Sequence, residues 1–177
     1  MMDLEARIKA GIRDVPDFPK DGILFKDIST LLLQPVLANA ILDGLTEHYM
    51  NAGIDAIAGI ESRGFLFGNA LALRLNKPFV LIRKAGKLPA EKITRRYELE
   101  YGVAAIEMHR DAVQPGQRVL VHDDLLATGG SAEAAALLLQ DAGAHVAGFS
   151  FLVELGFLAG RQRLAPIQPD IRSLAVY

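Results

Sequence analysis

The chain of 177 residues contains no cysteine. That single absence excludes disulfides, thiol nucleophiles and thiolate metal sites, and it fits a reducing compartment. Long uncharged apolar runs are missing as well. A membrane span needs roughly 18 consecutive apolar residues, yet the richest region, residues 132–160, is broken by Glu133, Asp141, His145 and Glu154. The N-terminus, Met1-Met2-Asp3-Leu4-Glu5-Ala6-Arg7, carries charges where a signal peptide would place its apolar core. No membrane association is expected, and a cytoplasmic location is. Neither charge sign dominates: 19 basic and 21 acidic residues leave a formal net charge of −2. A protein whose main partner is a long polyanion usually carries the opposite balance, so no nucleic-acid partner is expected. The counts of 16 Gly and 8 Pro are ordinary and exclude collagen-like and low-complexity classes. Several ligand motifs are also lacking: Gly-x-Gly-x-x-Gly, Gly-x-x-x-x-Gly-Lys-Ser/Thr and His-Glu-x-x-His. The four histidines, His48, His109, His122 and His145, have no metal-ligand spacing.

What is present is a chain 51% hydrophobic, of ordinary single-domain length, so residues 1–177 are expected to form one domain. Its periodicity alternates. Leu4, Ile8 and Ile12 recur every fourth residue and predict a short helix, which stops before the segment Val15 to Gly22 with its two prolines. Residues 35–51 read as a helix opened by Pro35 and ended before Gly53, and residues 54–60 as a buried strand. Then follow a helix over 65–75, a strand over 79–82, a strand over 119–122 and a helix over 131–140. Strands over 146–152 and 173–176 complete the chain. Residues 84–102 show neither period, apart from a possible hairpin strand around Tyr97. Strands alternating with helices of this length predict an α/β fold with a mostly parallel central sheet flanked by helices.

In such sheets ligands bind at the strand-to-helix turns beyond the strands' carboxyl ends. Three stretches stand out there. In the first, the apolar run Val119-Leu120-Val121-His122 meets Asp123 and Asp124, then Leu125, Leu126, Ala127, Thr128, Gly129, Gly130 and Ser131. The glycines let backbone N–H groups approach closely, and the following helix N-terminus adds partial positive charge, which suits a phosphate. The carboxylates cannot favour the same anion and should face hydroxyls or a cation. Hydroxyls plus phosphate describe a ribose 5-phosphate; the plainer alternative is a turn capped by Ser131 beside two solvated aspartates. In the second, Glu61-Ser62-Arg63-Gly64, a guanidinium sits at a helix start, where fork geometry and backbone donors can hold a diphosphate. A surface arginine paired with a carboxylate is the alternative there. The same segment lacks the first glycine of a Gly-x-Ser-x-Gly nucleophile elbow. In the third, Arg83, Lys84, Lys87, Lys92, Arg95 and Arg96 crowd into a chain that is acidic elsewhere; a solvated charged face would be the default reading.

The run from Asp123 to Ser131 resembles the phosphoribosyl-pyrophosphate motif of the type I phosphoribosyltransferases, and its longer form resembles their adenine-using members. Other blocks match in the same order: Phe18-Pro19, residues 22–28, Glu61 to Phe65, Leu81 to Lys84, Gly86 to Pro89, and Leu99 to Gly102. The resemblance implies the type I phosphoribosyltransferase fold with a flexible hood over about residues 84–106. It implies transfer of phosphoribosyl from phosphoribosyl pyrophosphate to adenine, giving AMP and pyrophosphate, with Mg²⁺ brought by the substrate. Asp123 and Asp124 would hold the ribose hydroxyls, and Ala127, Thr128, Gly129, Gly130 and Ser131 the 5-phosphate. Pyrophosphate would fall to Ser62, Arg63, Arg83, Lys84 and Lys87. Glu100, in the hood, would assist proton transfer at the purine, the alternative being an exposed hairpin glutamate. Phe25 would stack on the base, or serve as plain core, with Leu24 and Lys26 offering main-chain contacts. A homodimer is the usual family state.

Two positions depart from the family pattern. His122 stands where an aliphatic residue is usual and needs a hydrogen-bond partner if buried. Ala85 replaces a basic residue that some relatives carry. Two other functions remain open at this point. One is a non-catalytic sensor of phosphoribosyl pyrophosphate or a nucleotide, which is expected to carry an added partner-binding module. The other is the same transfer onto another purine such as xanthine.

Overall fold

The computed structural model describes residues 2–99 and 102–177. Helix α1 (Leu4–Gly11) starts where Asp3 Oδ1 accepts a 2.8 Å bond from the Ala6 N–H, capping an otherwise orphaned donor. Two three-residue strands, β1 (Arg13–Val15) and β2 (Phe25–Asp27), pair antiparallel and are followed by α2 (Ser29–Leu32). Helix α3 (Pro35–Tyr49) has proline in its first turn, where no N–H is needed.

A seven-stranded sheet follows. Strand β3 (Ala56–Ile60) leads into α4 (Gly64–Arg74), then β4 (Phe79–Lys84), the hairpin β5 (Lys92–Leu99) and β6 (Gly102–His109), and β7 (Arg118–Leu126). Helix α5 (Gly130–Asp141), β8 (His145–Glu154), a 3₁₀ turn at Gly156–Leu158, α6 (Gly160–Leu164) and β9 (Ile171–Val176) complete it. The strand order is β5-β6-β4-β3-β7-β8-β9. Strands β4, β3, β7, β8 and β9 run parallel, and the β5–β6 hairpin adds an antiparallel edge. The expected α/β architecture, mostly parallel, is the observed one.

Alternation along β3 shows how the sheet is buried on both faces. Ala56, Ala58 and Ile60 pack in one apolar cluster with the α5 residues Ala135, Leu138 and Leu139. Ile57 belongs to the other, with Ile41 and Leu45 of α3 and Phe67 and Leu71 of α4. Such double coverage is why the parallel strands read as continuous apolar runs.

Three expectations need correction. The possible hairpin strand around Tyr97 is observed, but it is longer than the absence of period over residues 84–102 suggests: Lys92 to Leu99 pairs residue by residue with Gly102 to His109. Charged residues on this edge strand masked its alternation. Strand β7 does not stop at His122 but continues through both aspartates to Leu126, because β8 keeps pairing with it to Glu154. The short elements β1, β2, α2 and α6 were not foreseen, being too brief to establish any period.

Candidate functional site

The carboxyl ends of β3 and β7 open onto a cavity of about 600 Å³. Its floor is Asp123, Asp124 and the residues through Ser131, and its opposite wall is Glu61, Ser62 and Arg63. Lys84, Tyr97 and Ala104–Ala105 close the side formed by β4 and the hairpin. Two stretches far apart in sequence are therefore brought to one cavity by the β3–β7 pairing, in which Gly59 lies opposite His122.

Local geometry depends on glycine at two points. Gly129 has φ +80°, a left-handed conformation that turns the chain into α5, whose first residues, Gly130, Ser131 and Ala132, line the cavity. Gly64 begins α4 hard against β7: a Cβ there would lie 2.9 Å from both Asp123 Oδ1 and the His122 carbonyl oxygen. That close approach brings Arg63, the residue before the helix, over the carboxylates.

Arg63 Nε lies 3.1 Å from Asp124 Oδ2. The pair is electrostatic rather than a hydrogen bond, because Oδ2 has no aligned donor among the described residues. Asp124 is only 3% exposed, whereas Asp123 is partly open to the cavity, and its Oδ1 accepts a 2.9 Å bond from the Asp124 N–H. Burial raises both carboxyls above the ordinary aspartate range; repulsion from Asp124 adds to the effect on Asp123, and Arg63 opposes it on both. Asp124 Oδ2 has almost no accessible surface and faces the Arg63 guanidinium, so the partly exposed Asp123 is the carboxyl more open to a ligand hydroxyl.

The wall beside Arg63 is a second polar network. Arg83 donates to both Glu61 oxygens, at 3.1 and 3.3 Å, and to the Lys87 carbonyl at 2.9 Å, while the Lys84 N–H donates to Glu61 at 2.9 Å. The Arg83 bond holds the Glu61 carboxyl below the usual glutamate range. The six cations of this region thus do not act alike. Arg83 pairs with Glu61, Lys92 with Glu107 and Arg95 with Asp141. Lys84 lines the cavity and has no ion pair with a described residue, while Arg83 and Lys87 stand outside the lining.

Phe25 reaches the site through Arg63. Its ring centroid lies 5.3 Å from the guanidinium carbon and 5.1 Å from the ring of Phe18, edge to face. Leu24 is half exposed, and the Lys26 side chain points elsewhere, with Nζ 2.7 Å from Asp14 Oδ1 and 4.0 Å from the Tyr177 ring centroid. Any Lys26 contact with a ligand in this site is therefore through the main chain. Glu100 lies outside the described residues. Tyr97, whose hydroxyl is 3.3 Å from Ser131 Oγ, was not foreseen as a wall residue. The hairpin strand expected around Tyr97 is β5, and alternation along it is the signal that could have pointed to this wall position.

His122 is fully buried, and its Nδ1 lies 3.1 Å from Ser150 Oγ, the partner that the departure from an aliphatic residue required. Its Nε2 has no partner among the described residues. Burial holds the imidazole neutral and pushes its pKa down to about 4.

No helix among the described residues is long and apolar enough to cross a membrane. Nor do these residues contain a group of three or more His, Cys, Asp and Glu side chains able to hold a metal by themselves.

Comparison with known proteins agrees with the geometry. A phosphoribosyl transferase domain matches residues 29–174. The adenine phosphoribosyltransferase of Koribacter versatilis is 51% identical over 170 residues, which cover 96% of this chain and 92% of that one. That of Thermosynechococcus vestitus is 55% identical over 170 residues, covering 96% and 99%. Among solved structures, adenine phosphoribosyltransferase from Thermoanaerobacter pseudethanolicus superposes with a TM-score of 0.94 at 48% identity, covering 99% of this chain and 100% of the other. The Giardia lamblia enzyme complexed with 9-deazaadenine gives 0.92 at 36% identity, covering 100% and 99%.

Proposed function

The chain belongs to the phosphoribosyl transferase family, and from that premise we propose how its cavity performs the reaction borne by its adenine-using relatives. It transfers the 5-phosphoribosyl group of phosphoribosyl pyrophosphate to adenine, giving AMP and pyrophosphate, a step of purine salvage. The observation that supports the assignment of roles is that one cavity is lined both by the adjacent carboxylates Asp123 and Asp124 and by the glycine turn through Ser131. Ribose hydroxyls at Asp123 and Asp124 and the 5-phosphate at residues 127–131 place one small molecule along that floor.

Positive charge grows on the ribose as the C1–pyrophosphate bond breaks, and an oxocarbenium-like transition state results. The two carboxylates would stabilise that charge, and Arg63 partly offsets the burial that disfavours their ionisation. Arg63, Ser62 and Lys84 face the departing diphosphate from the opposite wall, with Arg83 and Lys87 bonded to each other beside them. Phosphate binding at the turn is remote from the broken bond and helps orient it. Phe25 offers the base a ring to stack on, with Leu24 and Lys26 supplying main-chain contacts, and Glu100 accepts the role of proton carrier at the purine. Tyr97 and the hairpin exclude water, the competing nucleophile.

The donor set fits a magnesium ion carried by the substrate. Two adjacent carboxylates in the cavity lining, Asp123 partly exposed, suit a cation that takes most of its ligands from phosphates and water. Bound there, the ion would neutralise charge on the leaving diphosphate. We also read residues 1–177 as one cytoplasmic unit that pairs with a second copy. Leu66 and Leu73, one helical face of α4, are 46% and 73% exposed, and Leu81 is 39% exposed. Apolar residues so placed suit an interface, and sedimentation as a monomer at micromolar concentration would overturn that part.

The test of the function is incubation with phosphoribosyl pyrophosphate, Mg²⁺ and each purine or pyrimidine base in turn. AMP from adenine alone is the expected result. Nucleotide from another base, or binding without product, would overturn the reading. Asp124→Asn and Glu100→Ala should each fold normally and lose at least about tenfold in turnover; full rates in both would refute their roles.

A further inference from the structure

The phosphate turn is held from behind by an element that the reaction itself does not use. Strand β8 ends at Glu154, which lies opposite Leu126, the residue before the turn, and the Leu155 N–H donates to the Leu126 carbonyl at 2.9 Å. Beyond the 3₁₀ turn the chain returns, and Gly160 presses on residues 127–129. A Cβ at Gly160 would overlap the Ala127 carbonyl oxygen and lie 2.8 Å from Leu126 Cδ1. From the other side, a Cβ at Gly129 would lie 3.0 Å from the Gly160 carbonyl oxygen. At Ala127 and Gly129 backbone thus meets backbone, with the Leu126 side chain packed alongside.

The next residue fixes that contact. Arg161 donates through Nε to Glu154 Oε1 at 3.0 Å, through Nη2 to Oε2 at 2.6 Å, and through Nη1 to the Ile171 carbonyl at 2.8 Å. Ser173 Oγ donates to the same Oε2 at 2.7 Å. Glu154 is 5% exposed, and its partners hold the carboxyl below the ordinary glutamate range despite its burial. A two-pronged bond to a planar guanidinium fixes direction as well as distance. The glutamate is also covalently continuous with the strand that pairs with β7. Strand, glutamate, arginine, Gly160 and turn form one closed mechanical loop.

We propose that Glu154 and Arg161 are positioning residues for the 5-phosphate: their fork seats Gly160 against the Ala127–Gly129 backbone and keeps the turn's N–H groups converged. Neither residue lines the cavity, so neither touches the substrate. The proposal rests on the phosphate reading of residues 127–131 given above. Without the fork, α6 is released, the turn widens and its donors diverge; displacements of well under an ångström lower affinity for an oxyanion.

The test compares binding of AMP with binding of adenosine, which differs only in lacking the 5-phosphate, by calorimetry on Glu154→Gln and Arg161→Lys. Both variants keep side-chain volume, and Arg161→Lys keeps the charge but loses the fork. AMP should bind about tenfold more weakly while adenosine is unchanged, and KM for phosphoribosyl pyrophosphate should rise by a similar factor with KM for adenine constant. Equal weakening of both ligands would mean general damage and overturn the proposal, as would no change in either. Gly129→Ala, which strains the turn directly, separates the two levels of the argument. If it leaves the AMP-to-adenosine ratio intact, the phosphate assignment fails; if it collapses the ratio while Glu154→Gln does not, only the positioning role fails.

Discussion

Replacing Gly64 by alanine puts a methyl group where the structure has no room for one. The added Cβ would stand 2.9 Å from the His122 carbonyl oxygen, 2.9 Å from Asp123 Oδ1 and 3.1 Å from Asp123 Cα. Two of these atoms are main chain of β7. That strand is hydrogen-bonded on both sides, to β3 at His122 and to β8 at Asp123, so it cannot yield cheaply. Helix propensity favours alanine by up to about 1 kcal/mol, while overpacking against fixed backbone costs about 1–3 kcal/mol. The net cost is up to about 2 kcal/mol, lowering Tm by up to about 8 °C for a chain of this size. The larger effect is on activity. Relief must come from moving the start of α4, and with it Arg63, away from Asp124; a misplacement approaching an ångström should lower kcat/KM by at least about tenfold. Gly44→Ala is the matched control. It lies within α3, where the new Cβ would meet only the tips of Leu4 at 2.9 Å and Leu174 at 3.9 Å, which can rotate aside. It should leave activity intact and Tm unchanged or slightly raised. The assays are thermal unfolding by circular dichroism and steady-state AMP formation. A Gly64→Ala protein with wild-type Tm and full activity would refute the argument that this contact sets the site.

His122 predicts a pH dependence of stability. Its folded pKa near 4 lies below the ordinary 6.5, so between those values the unfolded chain binds the additional proton. The stability attached to the neutral ring is complete above about pH 6.5 and falls, by about 3 kcal/mol in all, as pH drops towards 4. His122→Leu should flatten this slope in denaturant titrations at pH 7 and pH 4.5, and an unchanged slope would remove the attribution. Phe25→Ala should raise KM for adenine about tenfold, a stacking contact being worth about 1–3 kcal/mol, with KM for phosphoribosyl pyrophosphate nearly constant. Equal shifts in both constants would argue that Phe25 only packs against Phe18 and Arg63.

Much of the site was legible because its parts are local. The run from Val119 to Ala132 contains a strand, two carboxylates, a glycine turn and a helix start in contiguous order, so it stands out as a candidate ligand turn without tertiary information. The loop Glu61 to Gly64 is equally self-contained. The extent of the hairpin was not legible beyond a strand around Tyr97, since Lys92, Arg95 and Arg96 occupy edge-strand positions where charge is tolerated, and a crowd of cations reads first as a solvated or closing loop. Their partners Glu107 and Asp141 come from residues 15 and 46 positions away. His122 needed Ser150, supplied by the neighbouring strand, and no spacing rule could nominate it.

The chain by itself determined the class of fold, the sheet's burial on both faces, and which glycines, carboxylates and cations are candidates for a site. Apolar periodicity and glycine placement are properties of neighbours in sequence, and they survive without coordinates. Which of those residues meet was decided only by the tertiary structure. Parallel pairing of β3 with β7 set Arg63 above Asp124, folding of the hairpin gave Tyr97 to Ser131, and Glu61 claimed Arg83 before any ligand could. Charges distant in sequence have no fixed separation until the sheet sets their register, and Coulomb energy in a partly buried site depends on that separation.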